Sequence, residues 1–222
     1  MRKFTLLATL IVLALGQLCS QITTYHDTLP DGTILTLVVS GNPPIEVMID
    51  SMFGSLDFSD VSTGLLMDRT IHFVDYTRYD GILSDSNHVD YRTFLSLYAS
   101  LYSAPLDTSA RPLPDLPAYK ATAADIATSG VVPVGALLMH YHRIKSTALA
   151  DELLVLNGIQ LQDVPGRPES PYLEGRIFAV TPLQTRFEQA GLTFQFPVSL
   201  YHSNSGLTLT DIEFDPGNGV GL

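Results

Sequence analysis

The spacing of apolar residues changes character along the chain and divides it into segments. Phe4 to Leu15 is almost continuously apolar behind the basic pair Arg2 and Lys3. Such a run is too short to span a bilayer comfortably, and small and polar residues follow it, so Met1 to Ser20 reads as a cleaved secretory signal with a mature start near Gln21. Ile22 to His26 and Thr33 to Ser40 are strand segments joined by the turn Leu29-Pro30-Asp31-Gly32, a β-hairpin. Helical spacing then takes over. Ile45, Met48, Ile49 and Met52 predict a helix over Pro43 to Phe53, with Asn42 as its cap. Phe94, Leu97, Tyr98 and Leu101 predict another over Asp90 to Ser103, with Asp85-Ser86-Asn87 as a start signal ahead of it. Ala118 to Thr128, rich in alanine and closed by Gly130, predicts a third.

Past Gly130 the period becomes that of strands. Val131 to Ile144 is one long strand; Leu153 to Leu156 and Ile159 to Val164 flank Asn157-Gly158, a type I′ hairpin signal. Gly175 to Arg186 and Leu192 to His202 are further strands, and Pro197 places the second at an edge. Leu207 to Phe214 alternates again before the Pro-Gly-Asn-Gly turn. That turn, with no returning strand, is an unfinished hairpin and predicts that the chain is the front of a longer protein. The expected class is α+β. Residues 21–130 form a mixed α/β region with two to three helices, and residues 131–222 form an immunoglobulin-like antiparallel β-sandwich, incomplete at its C-terminus.

Charge and cysteine content narrow the function classes. The chain has 12 Lys plus Arg against 23 Asp plus Glu, a formal net charge of -11. Without Arg2 and Lys3 the twelve become ten, and the charge becomes -13. So acidic a chain is unsuited to nucleic acid or to anionic membrane surfaces. The single cysteine is Cys19, where acylation is the alternative to plain secretion, although the bulky Leu18 precedes it. If cleavage follows Ser20, the mature chain has no disulfide, no thiolate metal site and no cysteine nucleophile.

Two alternating sets could hold a divalent metal. His140 and His142 project from one face of the long strand about 6–7 Å apart along the backbone, and a site would need a third ligand such as His88, His202 or a carboxylate. Asp211, Glu213 and Asp215 also alternate and precede Gly217 and Asn218, like the opening of a calcium loop, but Pro216 replaces the turn glycine. For both sets the competing reading is the solvated face of a strand. No catalytic residue is assigned. There is no Gly-x-Ser-x-Gly elbow, and Asp107-Thr108-Ser109 is followed by Ala110 where an aspartic protease has glycine. Tyr76, Tyr79, Tyr91, Tyr98 and Tyr102, interleaved with aspartates, suit either a glycan surface or the edge of a core.

Leu56 to Asp68, Leu83 to Asp90, Leu97 to Tyr102, Met139-His140-Tyr141-His142, Asp163 to Arg167, Ser170-Pro171-Tyr172 and Asp211 to Gly221 together resemble the N-terminal region of large secreted multidomain Bacteroidota proteins, associated with type IX secretion. The resemblance implies further domains, sometimes hydrolase-like, and brings no catalytic motif. The expected function is therefore a secreted or cell-surface non-catalytic module, serving adhesion, glycan binding or the support of downstream domains of the same polypeptide. The alternative is the accessory front of an extracellular hydrolase whose active site lies beyond residue 222.

Overall fold

The computed structural model describes residues 22–28, 34–40, 45–72, 74, 89–186 and 191–206. The signal segment, the start signal at Asp85 to Asn87, and the terminal strand with Asp211, Glu213 and Asp215 lie outside these residues. The class is α+β, as the periodicity predicts. In chain order the elements are β1 (Ile22–Thr28), β2 (Ile34–Ser40), α1 (Ile45–Phe53), α2 (Tyr91–Ser103), α3 (Leu116–Ile126), β3 (Val131–Ile144), β4 (Leu154–Asn157), β5 (Gln160–Asp163), β6 (Tyr172–Pro182), β7 (Thr193–Gln195) and β8 (Tyr201–Ser203). No described helix is long and apolar enough to cross a membrane.

These elements fall into two compact units that do not divide at residue 130. One takes residues 1–58 with 146–171, the other 59–145 with 172–222. The reason is packing across the expected boundary. Tyr119 and Ala123 of α3 share one core with Leu137, Met139 and Tyr141 of β3, so the third helix and the long strand after it cannot belong to separate bodies.

In the first unit, β1 and β2 pair antiparallel from Ile22↔Ser40 to Thr28↔Ile34. α1 packs on β5, Ser55 bridges Gln162, and the Asp57 amide donates to the Asp163 carboxylate at 2.6 Å. The β4–β5 hairpin forms one residue out of the expected register. Asn157 pairs with Gln160, so the loop residues are Gly158 and Ile159, and only Gly158 has a positive φ, of 63°. A lone positive φ at the first loop position is the type II′ pattern, which glycine alone adopts freely.

The second unit lays α2 and α3 on one face of a sheet. Asp90 caps α2 by accepting from the Thr93 amide at 2.7 Å, and Phe94, Leu97, Tyr98 and Leu101 are fully buried, as their spacing requires. Each such side chain contributes about 1.5–3 kcal/mol on leaving water. α3 starts two residues before the expected point because Asp115 caps it, accepting from the Ala118 amide at 2.7 Å, with Pro117 in its first turn. The helix ends at Ile126 with Ala127 as its C-cap, and Gly130, at φ 79°, turns the chain into β3 rather than capping α3. Asp115→Ala is expected to cost about 1 kcal/mol in urea denaturation, with Asp115→Asn close to neutral. Equal losses in the two variants would show that the cap does not act through its side-chain acceptor.

β3 is the axis of the sheet. On one side β6 runs antiparallel to it from Val134↔Pro182 to Ile144↔Tyr172. On the other, β7 and β8 run parallel to it, at Val131 to Pro133 and at Ala136 to Leu138. An antiparallel immunoglobulin-like sandwich is therefore not what the described strands form. They make a mixed sheet whose core face carries helices. The strand expected over Leu192 to His202 is broken in two, because Pro197 opens a 3-10 turn at Val198–Leu200. Proline has no amide to donate to a ladder and ends the pairing there.

Candidate functional site

Residues able to do chemistry gather at the C-terminal half of β3. Strand alternation puts Leu137, Met139 and Tyr141 into the core and turns His140 and His142 to the opposite face, as expected. The two imidazoles then meet different surroundings. His140 Nδ1 lies 3.2 Å from Glu174 Oε1 on β6, with both side chains partly exposed, and such an exposed pair adds little stability. His142 is buried because a second segment covers it. Its amide donates to the Leu65 carbonyl at 2.8 Å, Leu66 bridges it in parallel, and its Nδ1 lies 2.9 Å from Thr63 Oγ1. Burial pushes the His142 imidazole below its ordinary range, against the pull of Glu174 and Asp60.

The edge of β3 opposite β6 is closed piecewise. β8 pairs at 136–138. At His140 no strand follows; instead, the Asn204 side chain takes its place. The His140 amide donates to Asn204 Oδ1 at 2.7 Å, and Asn204 Nδ2 donates back to the His140 carbonyl at 2.8 Å. A carboxamide carries one donor and one acceptor in a plane, so it can imitate a neighbouring peptide group. Leu65 takes over at His142, and at Ile144 the amide donates to the Asp68 carboxylate at 2.6 Å. Partial burial pushes the Asp68 carboxyl upward and the Ile144 amide pulls against it. Together with β7 at Val131 to Pro133, five different partners thus satisfy one strand edge, where a continuous neighbouring strand would ordinarily do so.

This arrangement decides how the candidate ligands are placed. His202 pairs with Leu137, on the core face, so it cannot join His140 and His142, which face the other way. Among the described residues no three His, Cys, Asp or Glu form a group that could hold a metal ion. His88 lies outside the described residues, as do Asp211, Glu213 and Asp215. Asp107 is occupied as a local cap, accepting from the Ser109 amide and hydroxyl at 2.8 and 2.7 Å, bonds that hold its carboxyl below the usual range. The described tyrosines do not form one surface. Tyr76 and Tyr79 are outside the described residues, Tyr98 is fully buried with its hydroxyl donating to the Pro114 carbonyl, and Tyr102 lies under the Arg111 guanidinium.

Three residues of this region escape sequence reasoning: Thr63, Asp68 and Asn204. Thr63 sits in a loop, Asp68 in the 3-10 turn Met67–Arg69, and Asn204 in a Ser-Asn-Ser-Gly turn, where asparagine is ordinary. No local signal separates them from any other loop residue. Compared with protein-family models, with curated proteins and with solved structures, the chain matches none.

Proposed function

We propose that this chain is a secreted or outer-surface non-catalytic module that acts by binding or by supporting domains of the same polypeptide, as the resemblance to secreted Bacteroidota proteins implies. One observation carries the reading: the polar groups at the end of β3 that could do chemistry are engaged in closing the sheet. Asn204 and Asp68 serve the backbone of β3, His142 meets Thr63, and His140 meets Glu174. Catalysis needs a nucleophile and a base oriented together toward a substrate, and Asn204 and Asp68 are instead engaged with the backbone of β3.

The test uses the full chain produced with its own leader in a Gram-negative host. N-terminal sequencing of the product should give a start near Gln21 in the fraction outside the inner membrane, and chromogenic ester, peptide and glycoside panels should show no turnover. Material retained inside the cell with Met1 in place would overturn the compartment. Turnover that survives purification would overturn the non-catalytic assignment.

A further inference from the structure

We propose that His202 is an acid-operated latch, its protonation releasing β8 and, with it, the Asn204 amide from the edge of β3.

The geometry supplies the three parts such a device needs. The first is a titratable ring with a buried nitrogen, His202 Nε2, that has no hydrogen-bond partner among the described residues. The ring lies 5.6 Å from the Tyr119 ring and 6.4 Å from that of Tyr98, the latter edge-on. The second is the absence of a counter-charge among the described residues. Across from His202 on β3 stands Leu137, flanked on the same face by Gly135 and Met139, none of them titratable. From α2 and α3 the facing groups are the phenols of Tyr98 and Tyr119, both pushed far up by burial and so neutral. The 3-10 turn ahead of β8 offers Val198, Ser199 and Leu200. Asp115 and Tyr102 act on Tyr98, while desolvation is the cause of the downward shift at His202.

The third part is an element able to move. β8 has three residues and, among the described residues, pairs only with Ala136 to Leu138. Its upstream turn carries Val198, 82 % exposed, and is held by Leu200, which is buried in the core and whose carbonyl accepts from the Tyr119 hydroxyl at 3.2 Å. Asn204 follows directly, so displacement of β8 withdraws the carboxamide that occupies the His140 edge. A short peripheral strand with few ladder bonds opens at lower free energy than the core it rests on.

The sign follows from burial. A histidine depressed when closed and ordinary, near 6.5, when exposed takes up a proton on opening. The closed state is then fully favoured above pH 6.5 and loses its advantage as pH falls below that value.

Amide exchange on the intact chain tests this. The protection factor of the His140 amide should fall about tenfold between pH 7 and pH 5, while those of Leu97 and Leu101 in α2 hold. The His202 ring protons should titrate below 6.5 in the native protein. His202→Gln should abolish the pH dependence at His140, and His142→Gln should leave it. Constant protection at His140, ring titration at or above 6.5, or a dependence that follows His142 would each overturn the latch. Ring titration on the unsubstituted chain decides the matter even if His202→Gln fails to fold.

Discussion

Gly135→Ala is expected to lower stability by about 3 kcal/mol, or roughly 6–12 °C in the thermal midpoint for a chain of this length. A Cβ at this position would stand 2.2 Å from the Tyr119 hydroxyl oxygen, with Leu183 methyls at 3.0 and 3.1 Å. The phenol has little room to give way. Its ring is packed 4.5 Å from that of Tyr98 and 6.3 Å from that of Phe94, and its hydroxyl is tied to Leu200. The contact makes a coupled prediction. Tyr119→Phe alone should cost about 1 kcal/mol, for the lost bond to Leu200. In the double variant, however, the oxygen that the new methyl meets is gone, so the total should fall short of the sum of the two single losses by more than about 0.5 kcal/mol. Guanidinium denaturation of the four proteins reads this directly. Simple additivity would mean that the clash is relieved by sheet movement rather than borne by Tyr119.

The second large effect is expected at Asn204. Asn204→Ala removes the partners of both the His140 N–H and the His140 C=O and leaves these partly buried groups facing the gap between β8 and the Leu65 segment. The cost should be about 2–3 kcal/mol, and His140 amide exchange should rise toward that of a frayed edge. Asn204→Ser, whose shorter side chain cannot span both groups, should behave like alanine. A His140 amide as protected in Asn204→Ala as in the unsubstituted protein would show that another group takes over the edge. Such a result would also remove the structural link on which the His202 latch depends.

Both predictions concern contacts that no local pattern announces. Tyr119 sits in an alanine-rich helix and Gly135 in a valine-rich strand, and nothing in either stretch shows that the hydroxyl of one requires the missing side chain of the other. The helix over Tyr91–Ser103 is the opposite case. Its stripe of Phe94, Leu97, Tyr98 and Leu101 is legible because burial of one helical face imposes the 3.6-residue period on the sequence itself. β3 is legible over Val131–Ile144 for the analogous reason, as alternation follows from the two faces of a strand. Which strands flank β3 is not legible, because parallel and antiparallel neighbours impose similar alternation, and the direction of approach is set by where the chain returns. The broken strand at Pro197 shows the same limit: the proline marks an interruption, but whether an edge or a 3-10 turn results depends on Leu200 finding the core.

The histidines divide along this line as well. The i, i+2 spacing places His140 and His142 on one face of a strand, and that much holds. Their different fates, one beside Glu174 at the surface and the other buried under Leu65 and Leu66, arise from a loop far away in sequence. The amino-acid sequence by itself determined the α+β class, the three helices and the long strand, since each rests on a periodicity that burial writes into neighbouring residues. Only the tertiary structure decided the mixed sheet around β3 and the use of Asn204 and Asp68 as substitutes for a missing strand. It also decided the placement of His202 between two tyrosines, because these depend on residues far apart in the chain, where no short-range pattern operates.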